Sequence, residues 1–259
     1  MKNACDCHVH VFGPAARYPY SRDRAYTPPD APLEDLNALH GSLGIERVVV
    51  VQPSPYGTDN SCTLGALKRL GGKARGVAVV DPKADLEQFH RAGIRGIRVD
   101  LDTADASPVQ QAVGMAKRMG WHVQVGASME VIESLHQSLL QLPVPLVVDH
   151  FGLPLTQNVR PLADLVRRGR AYVKLSAPHR FPADPAPIAR LLAEANPERL
   201  LWGTDWPHPA GAGSGGRDAI QPFEAIDDRA ALARLAEWFP DANLRRKILV
   251  DNPARLYDF

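Results

Sequence analysis

The fold of this chain is decided by the stretch Arg47-Val48-Val49-Val50-Val51-Gln52. Four consecutive valines are typical of a parallel β-strand that is covered on both faces. Similar short runs rich in β-branched residues recur along the chain, each followed by a polar or Gly/Pro-rich turn. We predict eight strands, at residues 4–10, 47–52, 76–80, 96–99, 122–125, 146–149, 172–175 and 200–203.

Segments with helical periodicity lie between the predicted strands. They occupy residues 33–43, 63–70, 86–92, 109–119, 131–140, 162–168 and 188–195. Glycines such as Gly44 and Gly120 fall just after these segments, where helix C-caps favour them. Eight strands alternating with helices over about 250 residues fit a (β/α)8 TIM barrel, an α/β fold, better than an open doubly wound sheet. We therefore predict a single domain spanning residues 1–259. No Gly-x-Gly-x-x-Gly follows an early strand, which counts against a dinucleotide-binding fold.

Composition and charge restrict the class of partner. The chain has 259 residues, of which 45% are hydrophobic, and a formal net charge of +1. This near-neutral balance gives no reason to expect nucleic acid or an anionic membrane surface as a partner. The sequence has no apolar stretch long enough for a transmembrane helix, and its N-terminus lacks the pattern of a signal peptide. We expect a cytoplasmic protein that acts on a small molecule.

The cysteines do not form a disulfide framework. There are three of them, Cys5, Cys7 and Cys62, which is an odd number and too few. Strand alternation predicts that Cys5 and Cys7 share the face opposite Asp6, His8 and His10. We expect both cysteines to be buried as small apolar side chains under the covering helices.

Polar side chains follow nearly every predicted strand, at the end that forms the mouth of a barrel. Because successive side chains of a strand point to opposite faces, His8 and His10 project to the same side. Residues at the C-terminal ends of barrel strands converge, so distant positions can form one site. The full set is His8, His10, Gln52, Ser54, Tyr56, Asp81, Arg98, Asp100, Gln124, Asp149, His150, Lys174, Ser176, His179, Arg180, Thr204, Asp205 and His208. Such a density of ionisable groups predicts an active site at this mouth.

Asp205 and His150 are the candidate catalytic groups of this set. Asp205 lies just past an apolar strand, between Trp202 and Trp206, where a solvated surface charge is poorly placed. Burial would raise the pKa of Asp205 and a nearby imidazolium or metal would lower it, a balance that suits a general base. His150 also follows an apolar strand; the alternative for it is a buried histidine satisfied by backbone groups.

Two arginines add positive charge at the mouth. The planar fork of a guanidinium binds carboxylates through two hydrogen bonds, so Arg98 and Arg180 point to an anionic substrate. The alternative for each is a surface arginine in a salt bridge.

Two connections are too long for simple turns, at residues 11–32 after the first strand and 209–228 after the eighth. Long loops inside a compact domain are usually functional lids or disordered segments. Both follow a strand at the active-site mouth, so we expect them to border the site. We also expect the glycine-rich run at 211–216 to be mobile.

With these motifs in order, the chain resembles the amidohydrolase superfamily, and within it the amidohydrolase-2 group that contains the 2-pyrone-4,6-dicarboxylate lactonases. The resemblance covers nearly the whole chain. It rests on His8-Val9-His10, Val147-Val148-Asp149-His150 and Gly203-Thr204-Asp205-Trp206-Pro207-His208, together with residues 11–14, 26–28, 57–60 and 249–257.

The resemblance implies a hydrolase that opens a carboxylated lactone ring during the breakdown of aromatic acids, which makes it a carboxylic ester hydrolase. Asp205 would match the general base that activates water. The histidines around the scissile carbonyl would be His8, His10 and His150. The substrate-binding positions would be Tyr26, Ser54, Arg98 and Arg180, with His208 beside them in support of Asp205.

The chain departs from the lactonase pattern at three positions. Asp100 and its neighbours stand where the lactonases have a further basic residue after Arg98, Gly126 stands in place of a tyrosine, and Leu153 in place of an arginine. These departures remove three contacts for a dicarboxylate, so lactone hydrolysis is better supported than that particular substrate.

Related barrels bind zinc through H-x-H, a ligand from strand 4 or 5 and the strand 8 aspartate. Here strand 4 ends in Arg98 and strand 5 offers only Gln124, so the metal ligands would be His8, His10 and Asp205. We expect no strictly required cofactor, with a divalent metal such as zinc as the alternative.

Other reactions and roles stay open. A lactone isomerase or a decarboxylase could use the same barrel and histidines, because a fold does not determine its chemistry. A non-catalytic barrel that binds a small acid is the remaining alternative.

Overall fold

The computed structural model describes residues 1–211 and 216–259, and its core is a parallel eight-stranded sheet whose strands are ordered as in the sequence. The strands are β1 (Cys5–Val9), β2 (Arg47–Val51), β3 (Ala74–Ala78), β4 (Ile94–Leu101), β5 (His122–Ala127), β6 (Leu146–Val148), β7 (Ala171–Leu175) and β8 (Leu200–Trp202). The prediction of a (β/α)8 barrel is confirmed, and every predicted strand overlaps an observed one.

Helices surround the sheet. They are α1 (Leu33–Leu43), α2 (Ser61–Leu70), α3 (Leu86–Arg91), α4 (Ser107–Met119), α5 (Met129–Leu140), α6 (Arg160–Arg167), α7 (Pro185–Ala195), α8 (Asp228–Trp238), α9 (Ala242–Arg246) and α10 (Asn252–Tyr257). No helix of residues 1–211 and 216–259 is long and apolar enough to cross a membrane.

The seam between β8 and β1 closes the barrel. The amide of Asp205 donates to the His8 carbonyl at 2.9 Å, and the His10 amide donates to the Trp206 carbonyl at 2.8 Å. A Cβ atom at Gly203 would lie 2.8 Å from both the Cβ and the backbone nitrogen of His8. Only glycine therefore lets the last strand approach the first this closely.

The prediction for Cys5 and Cys7 is wrong in its placement. Both are buried, but they pack with interior-facing residues such as Val49, Val147 and Leu201 rather than under the helices. The pairing of β1 with β2 is irregular between Asp6 and Val9, so the simple alternation of the strand is interrupted there. As a result, the two cysteines share the barrel interior with His8 and with His10, which follows β1.

The two long loops meet across the mouth. Thr27 forms a bridge with Ile220, and Arg24 donates to the Asp218 carboxylate at 2.6 Å. The predicted mobile run falls mostly on residues 212–215, outside the described residues. The described parts of both loops border the site, as predicted.

Candidate active site

A cavity of about 140 Å³ opens among the C-terminal ends of the strands. Its lining residues are His10, Tyr26, Pro53, Ser54, Arg98, His150, Arg180, Asp205, Pro209 and Gly211. Most of the predicted site residues therefore meet around one cavity. His8 lies directly beneath it, in contact with His10, Asp205 and His150.

The buried carboxylate of Asp205 lies at the centre of the site. Its Oδ1 atom faces three imidazole Nε2 atoms, at 3.5 Å in His8, 3.7 Å in His10 and 3.8 Å in His150. Its Oδ2 atom accepts from Nε of Arg180 at 2.9 Å, and Nη2 of Arg180 lies 2.8 Å from the same oxygen. Burial alone would raise the pKa of Asp205, but the surrounding His150 and Arg180 outweigh it and hold that pKa well below its usual range. Asp205 is therefore a carboxylate at neutral pH.

Backbone strain and hydrogen bonds fix the position of this carboxylate. Asp205 has a φ of 71°, and His150 has a φ of 50°, both in the left-handed region that non-glycine residues rarely adopt. The buried Asp6 carboxylate accepts from the amide and the hydroxyl of Thr204, at 3.0 and 2.7 Å, and it faces His40 at 3.2 Å. Asp6 thus ties α1 and β1 to the segment that carries Asp205.

The histidines are held in defined orientations and are neutral. Nδ1 of His10 lies 2.9 Å from the Val51 carbonyl, which can only accept, so Nδ1 carries the proton and Nε2 presents a lone pair to the cavity. Burial and the nearby Arg98 lower the pKa of His10 to about 4. Nδ1 of His150 lies 2.8 Å from the Ser176 hydroxyl, and burial lowers the pKa of His150 as well.

His8 can adopt either neutral tautomer. Its Nδ1 lies 3.2 Å from Nζ of Lys174 and 3.2 Å from Oδ1 of Asp149. If Lys174 donates to Nδ1, then the proton of His8 is on Nε2 and points to Nε2 of His10, 3.3 Å away. If Nδ1 carries the proton towards Asp149, then Nε2 presents a second lone pair to the site. The first arrangement needs no cation at the centre, and the second attracts one.

Three residues that support His8 received no role from the sequence. Lys174 is fully buried, donates to Gln124 at 2.7 Å and lies 3.3 Å from Asp149. The side-chain amide of Gln124 donates to the Asp149 carboxylate at 2.9 Å. Together with Lys174, these contacts join β5, β6 and β7 under the cavity. All three stood among the polar strand ends, but only the register between strands shows that they form one charge-balanced network.

The central donor atoms fit a divalent metal. His8, His10 and Asp205 each offer one ligand atom within 4.8 Å of the others, and His8, Asp149 and His150 form a second such group. The 3.3 to 3.7 Å separations within the first group are close to the edge of a tetrahedron around zinc, about 3.3 Å for ordinary bond lengths. Oδ1 of Asp205 also has no hydrogen-bond partner in the described part of the chain. The site could therefore hold a metal, although Arg98 and Arg180 beside it oppose a further cation.

The remaining predicted residues divide into two groups. Tyr26, which is buried, and Ser54, which is exposed, line the cavity and offer neutral hydrogen-bonding groups. His208 does not line it: Nε2 of His208 lies 3.2 Å from Asp228, and only its amide contacts the Asp205 carbonyl, at 2.8 Å. Its contact with Asp205 is therefore through the backbone.

The fold and the site define a TIM-barrel enzyme with a histidine–carboxylate centre at the mouth. The chain belongs to the amidohydrolase family: the family model described as Amidohydrolase matches residues 5–259.

Curated relatives match almost the whole chain. A 4-sulfomuconolactone hydrolase from Rhizobium radiobacter is 37% identical, with 99% of this chain and 90% of the relative covered. A 2-pyrone-4,6-dicarboxylate hydrolase from Comamonas testosteroni is 36% identical, with coverages of 98% and 90%. A D-galactarolactone isomerase from Agrobacterium fabrum is 29% identical, with coverages of 99% and 91%.

Solved structures share the fold. A ligand-free crystal structure from Agrobacterium tumefaciens has a TM-score of 0.86 at 25% identity. The match covers 100% of this chain and 97% of the Agrobacterium chain. A Burkholderia multivorans amidohydrolase with bound zinc has a TM-score of 0.71 at 20% identity, covering 99% of both chains.

Proposed function

We propose that this chain is a hydrolase that opens a carboxylated lactone ring. One observation carries the proposal: an ionised, buried carboxylate contacts three neutral imidazoles at the base of a small cavity that two arginines border. A base, hydrogen-bonding groups for an oxyanion and cations for a carboxylate are the parts that lactone hydrolysis requires. The similarity to two hydrolases, one named for a muconolactone and one for a pyrone dicarboxylate, supports the same substrate class.

The proposed reaction adds water to the lactone carbonyl. Asp205 accepts a proton from the water as its oxygen forms a bond to the carbonyl carbon. His150 donates from Nε2 to the developing oxyanion when its Nδ1 accepts from Ser176. The bond from the carbonyl carbon to the ring oxygen then breaks. The proton held by Asp205 passes to that oxygen, which leaves a hydroxy acid.

The arginines orient the substrate. Nη1 of Arg98 is buried beside the cavity and has no hydrogen-bond partner among the described residues, so it is available to a substrate carboxylate. Arg180 is already paired with Asp205, which keeps the base ionised. Tyr26 and Ser54 would bind ring oxygens. A small anionic substrate held in register gains the rate advantage of proximity.

Replacement of the base tests the proposal. We expect Asp205→Asn to lower kcat/KM on any cleaved lactone by about 10²- to 10⁴-fold, because the amide cannot accept the proton. Asp102→Asn, at an exposed position beyond β4, is the matched control and should leave turnover unchanged. Near-normal turnover by Asp205→Asn would remove Asp205 from the role of base.

A lactone isomerase is the second candidate, because one relative carries that activity in its name. Hydrolysis in water enriched in heavy oxygen places one labelled oxygen in the product carboxylate, whereas isomerisation places none. Release of carbon dioxide would identify a decarboxylase. Recovery of the ligand unchanged would indicate a binding barrel.

We further propose that a tightly bound metal is not strictly required. The contact from Lys174 to His8, and the guanidiniums of Arg98 and Arg180 near the centre, support the arrangement without a central cation. When bound at His8, His10 and Asp205, a zinc ion would polarise the carbonyl. Elemental analysis of protein purified without added metal decides the question. A stoichiometric metal whose removal abolishes activity would overturn this part of the proposal.

A further inference from the structure

We propose that Asp100 is a specificity-determining residue that restricts this site to lactones carrying a single negative charge. The inference rests on the proposed lactone hydrolysis and names its substrate class more narrowly. It concerns Asp100, which lies on β4 beside Arg98, one of the two arginines that line the cavity.

Asp100 binds the Nε side of the Arg98 guanidinium. Both residues are on β4, two positions apart, so their side chains lie on the same face. Nε of Arg98 donates to Oδ1 of Asp100 at 3.0 Å. The Arg98 side chain is 13% exposed and that of Asp100 is 42% exposed, so the carboxylate stands at the rim above the guanidinium. This leaves the buried Nη1 of Arg98 for one anionic group.

Gly126 provides the space for this carboxylate. In the register between β4 and β5, Gly126 pairs with Asp100. A Cβ atom at position 126 would lie 2.6 Å from Oδ1 of Asp100, closer than real Cβ contacts allow. Any larger residue would therefore push the carboxylate away from Arg98.

The charges around the cavity balance before a substrate binds. Arg98 and Arg180 contribute two positive charges, and Asp100 and Asp205 contribute two negative ones. The Lys174 ammonium and the Asp149 carboxylate beneath the cavity offset each other. One substrate carboxylate can bind the unpartnered Nη1 of Arg98. A second carboxylate near it would lie beside the Asp100 carboxylate, which already occupies Nε of the same guanidinium. Like charges that lie close together repel more strongly in a partly buried site than in water.

A matched pair of probes tests this selection. We expect kcat/KM for 2-pyrone-6-carboxylate to exceed that for 2-pyrone-4,6-dicarboxylate by about ten-fold or more, and high salt to reduce the difference. Asp100→Asn should move the ratio towards the dicarboxylate by about ten-fold, mainly through KM. Gly126→Ala, which keeps every charge but displaces the carboxylate, should move the ratio in the same direction. Asp102→Asn is the control and should leave the ratio unchanged.

The outcomes separate this inference from the proposed function. If the wild type prefers the dicarboxylate, or if Asp100→Asn changes both substrates equally, the inference is overturned while lactone hydrolysis stands. If neither probe is hydrolysed, their dissociation constants are measured by calorimetry. The same ratios and the same shift on Asp100→Asn would then support charge selection although the proposed hydrolysis of these lactones fails. Absence of binding by both probes would overturn the inference as well.

Discussion

A methyl group added at Gly203 tests whether the seam between β8 and β1 positions Asp205, the proposed catalytic base. The added Cβ of Gly203→Ala would meet the Cβ and the backbone nitrogen of His8 at 2.8 Å. Neither atom is the end of a flexible side chain, so the strands must separate. Forced overpacking costs about 1–3 kcal/mol in a well-packed core, and we expect a value near the upper end because backbone must move.

The same separation should reduce activity. Asp205 follows Gly203 by two residues, and its amide bonds to the His8 carbonyl across the seam. A shift of about 1 Å in a catalytic group can cost about 10²-fold in rate. We expect a lower urea midpoint together with a lower kcat on whichever lactone the wild type cleaves.

Gly114→Ala is the matched control for this substitution. Gly114 lies within α4, where an added Cβ meets nothing within 4 Å. This variant should be more stable than the wild type by about 0.5–1 kcal/mol, with unchanged kcat. If Gly203→Ala is as stable and active as Gly114→Ala, close approach at the seam does not position Asp205.

Three further predictions concern charge. Because the pKa of His10 is about 4, kcat/KM should stay level from about pH 6 to 8 and fall as the pH approaches 4. A fall in kcat/KM centred near pH 6.5 would contradict the neutral, buried imidazole. The pKa of His10 in the folded protein lies below its unfolded value of 6.5. The contribution of His10 to the free energy of unfolding is therefore present above about pH 6.5 and is lost as the pH falls from 6.5 to 4. Urea titrations at several pH values measure this loss. Lys174→Met should lower the free energy of unfolding by about 3–5 kcal/mol because it leaves Asp149 buried without its cation, and addition of Asp149→Asn should recover part of the loss.

The sequence predicted the barrel because the strand signal is local. Runs such as Val48-Val49-Val50-Val51 need no knowledge of the rest of the chain to indicate a covered parallel strand. The convergence of His10, His150 and Asp205 followed from the same topology, since strand ends of one barrel share a mouth.

Features that depend on contacts between secondary-structure elements could not be predicted from the sequence. The interruption in β1 that lets His8 share the barrel interior with Cys5 and Cys7 is a property of its pairing with β2. The bonding of His40 to Asp6 depends on how α1 packs, and the network of Lys174 depends on the register of three strands. In each case the residue was visible in the sequence, but the partner that determines its role was not.

The seam also has a consequence for the order in which the protein is made. Asp6 and Thr204, whose hydrogen bonds hold the segment that carries Asp205 against the first strand, are 198 positions apart. His8 therefore leaves the ribosome long before Asp205 exists to face it. A nascent chain that lacks β8 also lacks the proposed base, so we expect no activity until β8 has been synthesised and docked.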